Sequence, residues 1–148
     1  MKNILLFLCL TFGQTVALEA QNANLSKNRL AIEGYDPVAY FKSGKPVQGS
    51  KSIQTERNGA IYYFSNEANK ATFLASPTVY TPQYGGWCAY AMGETSEKVE
   101  IDPKTFNIID AKLYLFFNAY FNNTLTSWNK KEAVLKAQAD KNWTKFAK

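Results

Sequence analysis

The three residues Arg57-Asn58-Gly59 stand between two short β-prone runs, residues 53–56 and 60–64. An Asn-Gly pair accepts two successive positive φ angles, which the tight turn between right-twisted strands requires, so these residues predict a β-hairpin. Beyond it, Ser65 or Asn66 can cap a helix, Glu67 suits its first turn, and Ala68, Ala71, Leu74 and Ala75 recur at helical spacing. A short helix over 66–75, stopped by Ser76-Pro77, is therefore expected. A second strand pair is expected from residues 106–109 and 113–117, joined through Asp110-Ala111-Lys112, with Val99 and Ile101 as a further strand. Asn129 and Glu132 have capping-box spacing, and Trp128, Leu135, Ala139, Trp143 and Phe146 share one helical face, which predicts a C-terminal amphipathic helix. The fold class that follows is α+β: a small, mostly antiparallel sheet built from hairpins, a short helix after the first, and the C-terminal helix.

The chain has 148 residues, 46% of them hydrophobic and 15% aromatic, enough for one packed core and too few for two ordinary domains. Lys2, the apolar run 4–12, and the small residues Ala17 and Ala20 have the order of a secretory signal peptide, cut after Ala17 or Ala20. That run, about nine residues, is about half of what a membrane-spanning helix needs, so no transmembrane span is expected. The expected organisation is a leader over 1–20, a flexible Asn- and Ser-rich lead-in over 21–29, and one domain over 30–148. The mature chain would be exported, to a periplasm or to the outside.

Cleavage removes Cys9 and leaves Cys88 as the only thiol, so no intramolecular disulfide can form. Histidine is absent, which takes away the commonest general base and the commonest metal ligand together and argues against an enzyme. The net charge of +5 comes from dispersed lysines, densest near the C-terminus, a solvated surface and not a nucleic-acid stripe.

Residues 81–92 are the least regular segment, with Pro82 and Gly85-Gly86 read as a tight turn before a buried strand through Trp87-Cys88-Ala89-Tyr90. Cys88 and Met92 are four residues apart, and on a helical turn both sulfurs could point to one side. Thiolate and thioether ligands without imidazole favour Cu(I), so Cys88 and Met92 are the candidate metal ligands and copper the candidate cofactor. Free Cys and Met are also common core residues, so a structural or interaction module with a buried, inert Cys88 is the competing reading. A thiol enzyme stands third, since no His can deprotonate Cys88 and no second Cys can resolve a mixed disulfide. Tyr84, Gly85, Gly86, Trp87 and Tyr90 are the candidate ligand-binding residues, because aromatics crowding a Gly-Gly loop can line a pocket for a small ligand. Asp36, Asp102 and Asp110 are assigned to turns.

The stretch "NGAIYYFSNEANKATFLASPTVY", through Gly59, Tyr62, Phe64, Phe73, Pro77 and Tyr80, resembles the core of the YHS domain. The flanking "GYDPVAYF", "YGGWCAYAMG", "IDP" and "LYLFFN" resemble the exported bacterial subgroup of that family, and the likeness runs from Leu30 to Trp143. The resemblance implies association with heavy metals, which metal-type members bind through cysteines at the start of the helix after the hairpin. Ser65 and Asn69 occupy those positions here, whereas Cys88 matches the cysteine of the exported subgroup.

Overall fold

The structure, a computed structural model, describes residues 21–147. The expected leader, with Cys9 and both expected cut sites, lies outside the described residues. Residues 21–29 differ from the flexible lead-in expected of them. Leu25–Ser26 (β1) pairs antiparallel with Leu30–Ala31 (β2), and Asn24 N–H donates to the Gly85 carbonyl at 2.8 Å. Backbone pairing recruits this polar stretch, a signal that side-chain composition does not carry.

Asp36-Pro37 turns the chain into a short helix, α1 (Ala39–Lys42). The expected hairpin follows as β3 (Ser50–Arg57) and β4 (Ala60–Phe64), with Arg57 opposite Ala60 and Thr55 opposite Tyr62. Asn58 and Gly59 take φ of 49° and 80°, the turn geometry for which the Asn-Gly pair is suited. β4 alternates buried Ala60, Tyr62 and Phe64 with half-buried Ile61 and Tyr63, and lies inside a four-stranded sheet of order β1-β2-β4-β3. β2 runs parallel to β4; the other pairs are antiparallel.

Asn66 then caps α2 (Glu67–Ala75), its side-chain oxygen accepting from Asn69 N–H at 2.8 Å. Pro77 opens α3 (Pro77–Tyr80) at the position where a missing N–H does least harm. Gln83–Gly86 forms a 3-10 turn, and the buried strand expected after it is instead a helix, α4 (Ala89–Glu94). Ala89, Ala91 and Met92 are good helix formers and all three are buried, so burial alone did not distinguish helix from strand here.

Val99 and Ile101 are not in a strand; β5 begins after them (Asp102–Ile109) and pairs with β6 (Lys112–Phe116). A third small pair, β7 (Asn118–Ala119) with β8 (Asn122–Asn123), leads into α5 (Thr124–Asn129), whose first turn is capped by Asn123. Asn129 therefore ends a helix and is not the cap of the next. The C-terminal helix is α6 (Glu132–Trp143), preceded by Lys131 without a side-chain cap.

The class is α+β as expected, but the hairpins form three separate sheets and not one. Two apolar clusters hold the fold. One joins Tyr62, Phe64 and Phe73 with Val38, Tyr40, Cys88, Leu113 and Leu115. The other joins Tyr84, Met92, Tyr114, Phe116 and Trp128 with Leu135 and Ala139 of α6. At Gly93 the α4 backbone comes so close to α6 that an added Cβ would lie 2.6 Å from the Leu135 carbonyl oxygen. Among the described residues, no helix is long and apolar enough to cross a membrane.

Candidate functional site

Cys88 and Met92 sit one helical turn apart, with Met92 N–H donating to the Cys88 carbonyl at 3.0 Å. Both are fully buried, yet Cys88 packs in the first cluster and Met92 in the second. The Cys88 sulfur is also engaged: Phe117 N–H donates to it at 3.3 Å, and Thr124 Oγ1 lies 3.5 Å away. Among the described residues, no three His, Cys, Asp or Glu side chains converge as a metal-holding group.

Ser65 and Asn69, at the entry to α2, meet one buried partner. Asp36 is fully buried and accepts five hydrogen bonds. Its Oδ1 takes the N–H groups of Val38 and Ala39 at 2.9 and 3.2 Å, capping α1. Its Oδ2 takes Ser65 N–H at 2.8 Å, Ser65 Oγ at 2.6 Å and Asn69 Nδ2 at 2.7 Å. Every contact is a donor facing an oxygen, the arrangement that repays burial of a carboxylate. Asp36 thus does the work of a turn residue and also ties α1 to the start of α2.

Among the described residues, a groove of about 590 Å³ lies beside the Gly-Gly turn, between β4, the turn, the segment 22–25 and the end of α6. Tyr84 takes φ of 54°, followed by Gly85 at 62° and Gly86 at 85°, a run that curls the backbone along one wall. A side chain at Gly85 would meet Trp143 at 2.9 Å, so the glycine lets the turn and the C-terminal helix approach. Tyr84 is buried and its hydroxyl donates to Asp140 Oδ1 at 2.8 Å. Burial, with the Asp140 carboxylate beside it, holds this hydroxyl above the ordinary tyrosine range. Tyr62, Trp143 and Phe146 supply the other rings of the lining.

The segment 22–25 closes one side because the groove wall binds it: Asn24 Nδ2 donates to the Gly86 carbonyl at 3.3 Å, and Asn22 Nδ2 donates to the Phe146 carbonyl. Lys98 donates to Asn22 Oδ1 at 2.9 Å with its ammonium 4.6 Å from the centre of the Phe146 ring, a cation–π contact behind the wall.

Tyr84, Gly85 and Gly86 therefore line the groove as candidate ligand residues, while Trp87 and Tyr90 do not. Trp87 turns its indole to the Asn22 carbonyl at 2.7 Å, and Tyr90 packs half-buried against both clusters. Two neighbouring aromatics pack with the first cluster: Tyr40 donates to the Pro103 carbonyl at 2.7 Å, and the partly buried Tyr80 meets Phe41 edge-on. Residue order did not reveal Arg57, Tyr62, Asp140, Trp143 and Phe146 as groove residues, because they come from elements far apart in the chain. No protein-family model matches the chain, nor does any curated protein or solved structure.

Proposed function

We propose that this chain is an exported binding module of the YHS type that takes one small organic ligand in the groove beside Gly85-Gly86, with Cys88 and Met92 serving as core residues. The observation that carries the reading is the groove itself. Its volume of about 590 Å³ falls within the roughly 300–1,000 Å³ of small-molecule sites, and it combines aromatic walls with a few polar groups. The YHS part of the reading is supported by the packing of the hairpin and helix block, in which Tyr62, Phe64 and Phe73 stack in one cluster. With Asp36 joined to Ser65 and Asn69, the start of α2 supplies polar cohesion without a metal. A soft metal at Cys88 would have to displace the Phe117 N–H from the sulfur and draw Met92 out of a different cluster.

A thermal-shift screen of small aromatic and amphiphilic molecules tests the reading, run on the natural sequence and on Thr81→Trp, which fills the groove from its half-buried rim. Hits that raise the melting temperature of the natural sequence and lose their effect in Thr81→Trp are the expected result. Hits that ignore the substitution, or stoichiometric Cu(I) uptake abolished by Cys88→Ser, would move the site elsewhere. Cys88 is expected to resist a thiol reagent until the protein unfolds, as suits a fully buried sulfur.

A further inference from the structure

The charges of the groove are unequal in what they have left to give. Among the described residues, only two charged side chains line it, Arg57 and Asp140. Asp140 is committed, its Oδ1 accepting from Tyr84 and its Oδ2 lying 4.0 Å from the Lys136 ammonium. Arg57 is placed by the sheet. It stands directly opposite Ala60, and Thr55 stands opposite Tyr62, so by strand alternation Arg57 shares the face of Ala60 and Tyr62, both of which line the groove. The neighbouring Glu56 pairs with Ile61 on the opposite face, where it is held by Arg29 at 2.8 and 3.2 Å. Among the described residues, no carboxylate pairs with Arg57.

A guanidinium turned toward an aromatic-walled groove, with its adjacent acid occupied on the other face, is a receptor for a planar anion. Resting on the groove reading above, we propose that the ligand is a small amphiphilic carboxylate, its head on Arg57 and its apolar body along Ile32, Tyr62, Tyr84 and Trp143. The lining fits that division: Ile32, Ala60 and Tyr62 are buried apolar residues on the strand side, while Asp140, at the α6 end, accepts from Tyr84 and faces the Lys136 ammonium. Lys98, stacked behind Phe146, adds positive potential at the far wall and no negative one.

The test is a titration followed by intrinsic tryptophan fluorescence, with decanoate and 4-phenylbutyrate as probes and their neutral amides as matched controls. The expected result is binding of both acids about tenfold tighter than their amides, as a charge-assisted contact in a half-open site gives. In Arg57→Gln that preference falls to near one while the amides keep their affinity; in Arg57→Lys part of it returns. Equal affinity of acids and amides, or a preference that survives Arg57→Gln, overturns the carboxylate inference and leaves the groove reading standing. Failure of all four probes also overturns it, and the groove reading falls with it only if the screen against Thr81→Trp is empty too. Melting temperatures of both Arg57 variants within a few degrees of the natural sequence confirm that the comparison is between folded proteins.

Discussion

Asp36 shows how much one buried side chain can organise. Removing its carboxylate in Asp36→Ala takes the acceptor from the Val38 N–H and from the Ser65 N–H and hydroxyl, and leaves the Ala39 N–H only the Asp36 backbone carbonyl at 3.2 Å and the Asn69 amide only Ser65 Oγ at 3.3 Å. Unpaired buried donors cost about 1–3 kcal/mol each before relaxation, so a loss of at least about 3 kcal/mol is expected in urea unfolding. Asp36→Asn, which keeps the shape but brings an N–H₂ against donors, should recover little of it. A loss below about 1 kcal/mol would mean that water replaces the carboxylate, and that α1 and α2 are held together by their apolar contacts alone. The Asp-Pro pair marks the turn in the sequence, but the partners at 65 and 69 lie about thirty residues away, beyond what local spacing can show.

Turns illustrate the same division among elements. Among the described residues, three two-residue hairpin turns put both central residues at positive φ: Asn58-Gly59, Asp110-Ala111 and Tyr120-Phe121. Only the first is written in residues that favour that backbone, and it was the one legible in full from the sequence. The second follows only from its flanking strands, and the third carries no mark in the sequence because aromatic residues do not signal a turn. Tyr120 and Phe121 are fully exposed, so no packing offsets their backbone strain. Replacing them with Asn and Gly is expected to stabilise the protein by about 1–3 kcal/mol, read as a rise in melting temperature. No rise would place the compensating contact in β7–β8 itself. The helices divide in the same way: α2 was legible because cap, first-turn acid and periodicity agree, whereas α5 and α6 read as one run across Trp128, whose burial belongs to α5. The groove was legible only in part, since Gly85-Gly86 announces a backbone turn but its opposite wall is assembled from β4 and α6.

Across the whole molecule, burial of hydroxyls makes stability depend on pH at the alkaline end. Burial first, and the carboxylates of Asp140 and Asp110 next, push Tyr114 up to about 12, and burial also raises Tyr84 and Tyr40. An unfolded tyrosine ionises near about pH 10, so above that point the folded chain holds more protons than the unfolded one. The tyrosine contribution to stability is therefore full below about pH 10 and is lost as pH rises toward and through the raised folded values. Tyr114→Phe should make the loss between pH 10 and 12 shallower, measured by urea unfolding across that range; an unchanged slope would assign the dependence to other groups. Glu33 acts in the acid range, where burial, then the charges of Glu100 and Asp102, raise its carboxyl. Its contribution is present below the ordinary glutamate value and lost as pH rises through the raised one. Glu33→Gln should consequently gain stability at neutral pH and none near pH 3, with an equal gain at both as the contradicting result.

These scales meet at the groove, since the Gly-Gly turn, the strand carrying Arg57 and the end of α6 must all be in place for it to exist. The most direct measurement is a ¹H–¹⁵N correlation spectrum of the folded protein recorded with and without decanoate. Shifts are expected to concentrate at Arg57, Tyr62, Gly85, Gly86 and the Trp143 indole, with Cys88 and Met92 unmoved. Shifts centred on residues 87–92, or spread over a surface away from the groove, would contradict it.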